Sequence, residues 1–234
     1  MSIAVDPLFG IAVTVIVYAL FLWLQSRRSW VQPLLMTSAV IMIMLVVLKI
    51  PVEDYQKGGS WLSFLLGPAT IALGVPIYKN AEQIRRSWRP ILGGITIGAL
   101  CGLLSAGLLV MWMGGSSDMA WTLMPKSATT PISMEVSRLY GGYPELTAVL
   151  TVLTGLMGSI IGPPLLRLCG ITDETAIGVA IGTTSHGIGT ARVLKDSEWM
   201  GAVSGFSMGL TGIWVSVLAL PLHMLGFLWQ IEVK

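Results

Sequence analysis

Apolar runs of membrane-spanning length alternate along this chain with short polar connections. A helix needs about 20 mostly apolar residues to cross a bilayer. Residues 8–24 meet that pattern and lead into Gln25-Ser26-Arg27-Arg28. A second run covers residues 31–47 and is followed by a polar, turn-rich stretch over 51–60. Residues 61–78 come next, with Gly67-Pro68-Ala69-Thr70 in the middle and Pro76 near the end. A proline inside a helix removes a backbone donor and clashes with the preceding turn, so a kink or break is expected here. After a basic connection over 79–90, long apolar runs return at 91–113, 144–168 and 201–228. The pattern predicts an all-α polytopic membrane protein with seven or eight membrane segments, forming one domain over residues 1–234.

Two stretches depart from it. Residues 175–192 contain Gly182-Thr183-Thr184-Ser185-His186-Gly187-Ile188-Gly189-Thr190, where a lipid-facing helix would carry leucines. Glycine permits positive φ and close approach of a ligand to the backbone. Hydroxyls and imidazole hydrogen-bond polar solutes or displaced carbonyls. Non-helical backbone at membrane depth survives only inside protein or beside a wet cavity. Small residues also serve plain helix packing, but His186 and the hydroxyls favour a site. Residues 121–142 hold Pro125-Lys126-Ser127-Ala128-Thr129-Thr130-Pro131, then Glu135 and Arg138. Prolines bracketing hydroxyl residues favour a broken or re-entrant helix inside the protein over a surface amphipathic helix.

Placing Gly67 on Gly182 by a sequence shift also places Gly74 on Gly189, Gly94 on Gly209 and Thr96 on Thr211. Interrupted segments at matching positions mark transporters built from inverted repeats, with the site between the halves. The expectation is two repeats with broken or re-entrant helices, the stretches 61–78 and 175–192 being counterparts. Gly67, Pro68, Thr70, Gly182 and Gly189 are the expected helix-breaking positions. An inverted relation requires residues 121–142 to re-enter rather than cross.

Composition narrows the class. The chain is 54% hydrophobic and 11% charged, against about 25% charged in a soluble domain. It cannot cover a water-facing surface. A net charge of +2 without a basic block gives no handle for nucleic acid. Cys101 and Cys169 stand apart in apolar surroundings, so no disulfide framework, metal site or cofactor is expected. The first ten residues lack the basic region and cleavage site of a signal peptide, so the first span is expected to be retained. The positive-inside rule places Arg27, Arg28 and the basic cluster over 79–89 in the cytoplasm, with the N-terminus outside. Further on, a crossing at 121–142 would make Arg192 and Lys195 cytoplasmic, whereas re-entry would do so for Arg167 and Lys234.

Ionisable groups at membrane depth face a cavity or a partner. Lys126, beside Ser127, Thr129 and Thr130, can attract a carboxylate, or can pair with Glu135 across the proline bend. Arg192 can form a two-pronged pair with a carboxylate or snorkel to the interface. His186 can carry a proton or hydrogen-bond a carbonyl. His223, near the end of the last span, reads as structural. Ser185 and His186 are not a catalytic pair, because adjacent residues on one helix do not face each other. No HExxH motif is present, and the chain is not expected to be an enzyme.

Three motifs carry a resemblance. Leu66-Gly67-Pro68-Ala69-Thr70-Ile71-Ala72-Leu73-Gly74-Val75-Pro76-Ile77-Tyr78 looks like the first motif of the LrgB/CidB family. Residues 125–132, PKSATTPI, resemble its central PKSxTTPI motif, and residues 182–192, GTTSHGIGTAR, its GTxSHxxGTAR motif. The departures are mild: Ala128 where valine is usual and Gly187 where alanine is common. The resemblance implies a multi-pass protein of the bacterial inner membrane, often encoded beside a smaller holin-like LrgA/CidA partner. It implies either holin/antiholin-like control of murein hydrolases and lysis, or carriage of small monocarboxylates, since related plastid proteins move glycolate and glycerate and bacterial ones are linked to pyruvate. A lesion-former needs no buried cluster of lysine, histidine and threonine, so the residues favour a carrier, with proton coupling open to it. The candidate substrate-binding set is Lys126, Ser127, Thr129, Thr130, Thr183, Thr184, Ser185, His186 and Arg192. A homodimer is a further expectation, since the glycine-rich spans allow close packing.

Overall fold

The computed structural model of the chain describes residues 7–28 and 32–232, the side chains of Leu66, Thr70 and 226–232 excepted. The expected second-span start at Val31, the Thr70 side chain and Lys234 therefore lie outside the described residues. Among the described residues every regular element is helical. Among the described residues five helical stretches are long and apolar enough to cross a membrane: Pro7–Arg27, Val52–Lys79, Trp88–Trp112, Pro144–Leu168 and Glu198–Leu225. Pro33–Val47 is apolar but shorter. The expected polytopic all-α class holds, and its segments divide into crossing helices and hairpins. Contacts separate the chain into two compact units, Met1–Ala72 and Leu73–Lys234.

In the first unit, α1 (Pro7–Arg27), α2 (Pro33–Val47) and α3 (Val52–Phe64) pack together. Gly10 and Gly58 allow α1 and α3 to touch backbone to backbone, since a Cβ on Gly58 would run into the Pro7 carbonyl. The Tyr55 hydroxyl and Thr14 Oγ1 join the same two helices at 2.8 Å. The helix after α3 restarts as α4 (Leu66–Lys79), and the interruption falls at Leu65. Pro68 explains that position: it has no amide hydrogen, and its ring crowds the carbonyl four residues upstream. The break thus sits just before the expected Gly67, Pro68 and Thr70. Gly67 and Gly74 have no described atom within 4 Å of an added Cβ.

The second unit is organised by α6 (Trp88–Trp112), α9 (Pro144–Leu168) and α11 (Glu198–Glu232), with the short α5 (Ala81–Arg86) leading into α6. Between α6 and α9 lies a first hairpin: α7 (Ser117–Leu123), a 3₁₀ turn over Met124–Ser127, and α8 (Thr130–Leu139). Its two arms meet. Trp121 stacks on Tyr140 at 4.6 Å between ring centroids, and Ser133 Oγ donates to the Pro125 carbonyl at 2.6 Å. Ala128 and Thr129 are both extended, which turns the chain at the tip. Residues 121–142 therefore re-enter, and Tyr143 leaves beside Thr122, to whose Oγ1 its amide donates at 2.9 Å.

The second hairpin is α10 (Glu174–Val193), whose helix is broken at His186, with φ 38 and ψ −139. In a straight helix, residues eight apart would be separated by about 12 Å. Here an added Cβ on Gly189 would lie 2.7 Å from Ile181 Cγ2. Val193 is buried in one cluster with Ile177 and Ile181, and Ser197 Oγ donates to Glu174 Oε2 at 2.8 Å. The chain runs inward to His186 and back again. Gly182 and Gly189, the expected breaking positions, are helical and flank the reversal. They serve close packing, Gly182 against the Ser204 backbone and Gly189 against Ser185 and Ile181.

The repeat differs from the one expected. The second hairpin answers not to residues 61–78 but to the first hairpin, because α4 has no hairpin reversal. The offset that carries Ser127 to Thr183 also carries Thr151 to Ser207, and brings the start of α9 within two residues of the start of α11. One crossing helix, α9, separates the hairpins, so they enter from opposite ends.

Two stability outcomes follow. Gly182→Ala pushes a methyl into the Ser204 backbone and should cost about 1–3 kcal/mol, whereas Gly67→Ala and Gly74→Ala should be neutral or stabilising by up to about 1 kcal/mol; thermal unfolding in detergent reads the difference. A non-glycine residue held at such φ costs about 1–3 kcal/mol. His186→Gly sheds that strain and His186→Ala keeps it, so the glycine variant should melt at the higher temperature; the reverse order would show that His186 is unstrained.

Candidate functional site

The two hairpin tips converge on the middles of α6 and α9, where glycines clear the way. Gly98 faces Thr183, with an added Cβ 2.8 Å from its Cγ2, and one turn on Gly102 faces Ser127 Oγ at 3.1 Å. On α9, Gly158 abuts Ser185, and Gly155 faces the His186 ring. An alanine at any of these four positions would move a tip.

His186 is buried, and its Nε2 hydrogen-bonds the Thr151 carbonyl at 2.9 Å. That bond engages a carbonyl within a helix and anchors the strained residue to α9. Behind it, Thr190 Oγ1 donates to the His186 carbonyl at 2.9 Å and lies 2.9 Å from Ser204 Oγ on α11. Ser185 Oγ lies 3.1 Å from Thr184 Oγ1, which itself donates to the Ala180 carbonyl. Ser185 is fully buried and Thr184 is exposed.

Lys126 sits at the tip of the first hairpin, half-buried, with its Nζ 3.4 Å from the Gly102 carbonyl. The alternative pairing with Glu135 does not form, because Glu135 holds Arg138 at 2.8 Å on the exposed face of α8. Among the described residues no carboxylate lies within ion-pair distance of Lys126. Thr129 is the N-cap residue of α8 but its side chain makes no capping bond, and Thr130 begins the helix half-buried. The free amides at that helix start carry partial positive charge beside the lysine.

Arg192 stands apart from this cluster. The reversal carries it back to the base of the second hairpin, where it is exposed and pairs with Asp196 at 2.7 Å; Arg167 approaches the same carboxylate at 3.9 Å. The return of both hairpins also changes the orientation argument. Lys79, Arg85, Arg86, Arg89, Arg167, Arg192 and Lys195 gather at one end of the second unit, and Arg138 at the other. The two alternatives for the distal half each assumed that residues 175–192 cross; with both hairpins re-entrant, Arg167, Arg192 and Lys195 share one end. By the positive-inside rule that basic end is the expected cytoplasmic one. His223 stacks with Trp121 and Tyr140 at 5.4 and 4.7 Å between ring centroids, a packing role as expected.

Sequence reasoning passed over Thr151 and Ser207. Both are fully buried, and the hydroxyls of Thr151, Thr183 and Ser207 have no hydrogen-bond partner. Ser207 lies on α11 between Ser204, which meets the second hairpin, and Gly212, which meets Ile132 of the first. A signal existed: Ser204, Ser207 and Thr211 recur at helical spacing on one face of an apolar span. The second unit therefore holds an ammonium with no carboxylate partner and three buried hydroxyls with their hydrogen-bonding capacity unused. Among the described residues no cluster of three or more His, Cys, Asp or Glu could hold a metal.

The LrgB-like family profile matches residues 14–225. Relatives include an uncharacterized protein of Haemophilus influenzae, 38% identical over 87% of this chain and 90% of its own length. YwbG of Bacillus subtilis is 36% identical over 91% of this chain and 94% of its own. The holin-like protein CidB of Staphylococcus aureus is 34% identical over 97% of this chain and 100% of its own. No solved structure matches the chain. The name of CidB speaks for the holin-like alternative and lends nothing to the carrier reading. With a family match over nearly its whole length and five helices able to cross a bilayer, the chain belongs to the LrgB-like family of multi-pass membrane proteins.

Proposed function

We propose that the chain is a carrier of small monocarboxylates, of the glycolate, glycerate or pyruvate kind, and not an enzyme. One observation supports this above the others: the polar groups left unpaired around the hairpin tips. An ammonium without a carboxylate and three buried hydroxyls without partners are costly at membrane depth. A carboxylate supplies acceptor oxygens, and the adjoining oxygen of a 2-hydroxy or 2-oxo acid supplies another. Lys126 and the first amides of α8 would hold the carboxylate, with Ser127, Thr129 and Thr130 around it. Thr183, Thr151 and Ser207 would reach the remaining oxygens, and His186 would position the second tip, with Thr184 and Ser185 beside it. We place the protein in the bacterial inner membrane, acting as one domain over 1–234, as a homodimer or with a smaller LrgA/CidA-like membrane protein.

A second reading has its own support in the name of CidB: a holin-like or antiholin-like modulator of murein hydrolases and lysis. The two differ in what crosses. Liposomes holding this chain alone should take up labelled glycolate or pyruvate saturably and retain a large entrapped dye. Dye release without saturable uptake would replace the carrier by the holin-like reading.

A charge-assisted hydrogen bond is worth about 1.5–3 kcal/mol. Lys126→Ala should therefore weaken uptake roughly 10- to 100-fold at unchanged protein level. Undiminished uptake in that variant would remove the lysine from the site. Thr151→Val and Ser207→Ala should each raise KM roughly 2- to 10-fold, the effect of one neutral hydrogen bond of about 0.5–1.5 kcal/mol, while leaving thermal unfolding in place.

A further inference from the structure

We propose that the groove between α6 and the inward half of α10 is a water-filled access path, joining the basic end of the second unit to the hairpin tips and admitting small carboxylates. This rests on the carrier reading for its cargo, though not for its water. The groove is open along one side and offers about 700 Å³. Liquid water takes about 30 Å³ per molecule, so it has room for roughly 20. Ser87, Asp173 and Thr175 line its mouth, Ile97, Val179 and Ala180 its walls, and Thr183 its inner end.

The inner end carries the argument. Thr183 is 2% exposed, its hydroxyl has no partner, and it lines this groove. That hydroxyl lies just out of solvent reach behind the groove wall, and a turn of the side chain would offer it to water or to an oxygen of a ligand. The walls are apolar, as in most cavities that receive small molecules, where a few polar groups at fixed positions do the selecting. Asp173 at the mouth is engaged in capping α10, accepting from the Ala176 amide at 2.8 Å.

Glycine sets the width. An added Cβ on Gly94 would come within 2.9 Å of Val179 Cγ1, and one on Gly98 within 2.8 Å of Thr183 Cγ2. The base of the first hairpin is packed instead. Trp121, Tyr140 and His223 stack there, while Thr147 Oγ1 bonds Thr122 O at 2.9 Å and Ser137 Oγ at 2.8 Å, all three hydroxyl residues fully buried. The inverted pair is thus unequal, open along the second hairpin and filled at the base of the first.

Cysteine accessibility tests this. In full-length protein carrying Cys101→Ser and Cys169→Ser, single substitutions Ala180→Cys in the groove and Leu108→Cys on the exposed apolar face of α6 are compared. The probe is a charged, membrane-impermeant methanethiosulfonate, applied to inside-out and right-side-out vesicles. The thiolate reacts, and apolar surroundings suppress it. Ala180→Cys should react from the cytoplasmic face roughly tenfold or more faster than Leu108→Cys, and not from the other face. Ala176→Cys, nearer the mouth, serves the same purpose should Ala180→Cys fail to accumulate. Added glycolate or pyruvate should slow the reaction. Fast modification that neither acid slows would uphold the water path and remove the carrier reading. Equal slow rates at Ala180→Cys and Leu108→Cys, or modification from the far face alone, would overturn the path itself.

Discussion

A helix that stops halfway through a bilayer leaves amides and carbonyls with no water to bond them. The second unit is arranged around meeting that demand twice. Each tip is pressed against glycines on the crossing helices, Gly98 and Gly102 on α6 and Gly155 and Gly158 on α9, so that protein replaces lipid around the exposed backbone. The His186–Thr151 bond and the Thr190 bond to the His186 carbonyl secure the sharper of the two reversals. Without those glycines the tips could not approach, and the donors they carry would be scattered.

Much of this was legible in the sequence. Hydropathy gave the crossing helices, and the polarity of residues 121–142 and 175–192 marked them as unable to face lipid. The break beside Pro68 was legible in kind and lay at Leu65 because proline acts on the turn before it. The reversal at His186 was not legible, since a histidine at positive φ is held there by its surroundings rather than by its own preference. Nor was the true repeat. Glycines matched Gly67 to Gly182 by sequence alone, whereas the two hairpins share an arrangement with little identity behind it. Arg192 looked adjacent to the hydroxyls along the chain, and the hairpin takes it to the opposite extreme of the segment. Thr151 was hidden in a span that reads as an ordinary apolar helix, whereas Ser207 was marked only by its spacing with Ser204 and Thr211.

Family membership and site geometry answer different questions. Membership explains the three motifs and the likeness to a holin-like relative. The geometry explains why two of those motifs sit at the tips: PKSATTPI supplies Lys126, the extended turn and the α8 start, while GTTSHGIGTAR supplies the strained histidine and flanking glycines. In the first motif, no described atom lies within 4 Å of a Cβ added at Gly67 or Gly74, while Leu73 and Ile77 lie against Gly205 of α11.

The hairpins also impose a rule of parity on the chain. A hairpin returns to the face it left, so it contributes nothing to sidedness; each crossing helix reverses it. A unit of one hairpin and one crossing helix therefore inverts whatever follows, and two such units in tandem come out upside down to each other without any further instruction in the sequence. Losing α9, or adding one helix between the hairpins, would put both hairpins on the same face and draw their tips apart. Helices can be gained or lost between them only in pairs, which makes the count of crossings as binding on this fold as any single side chain.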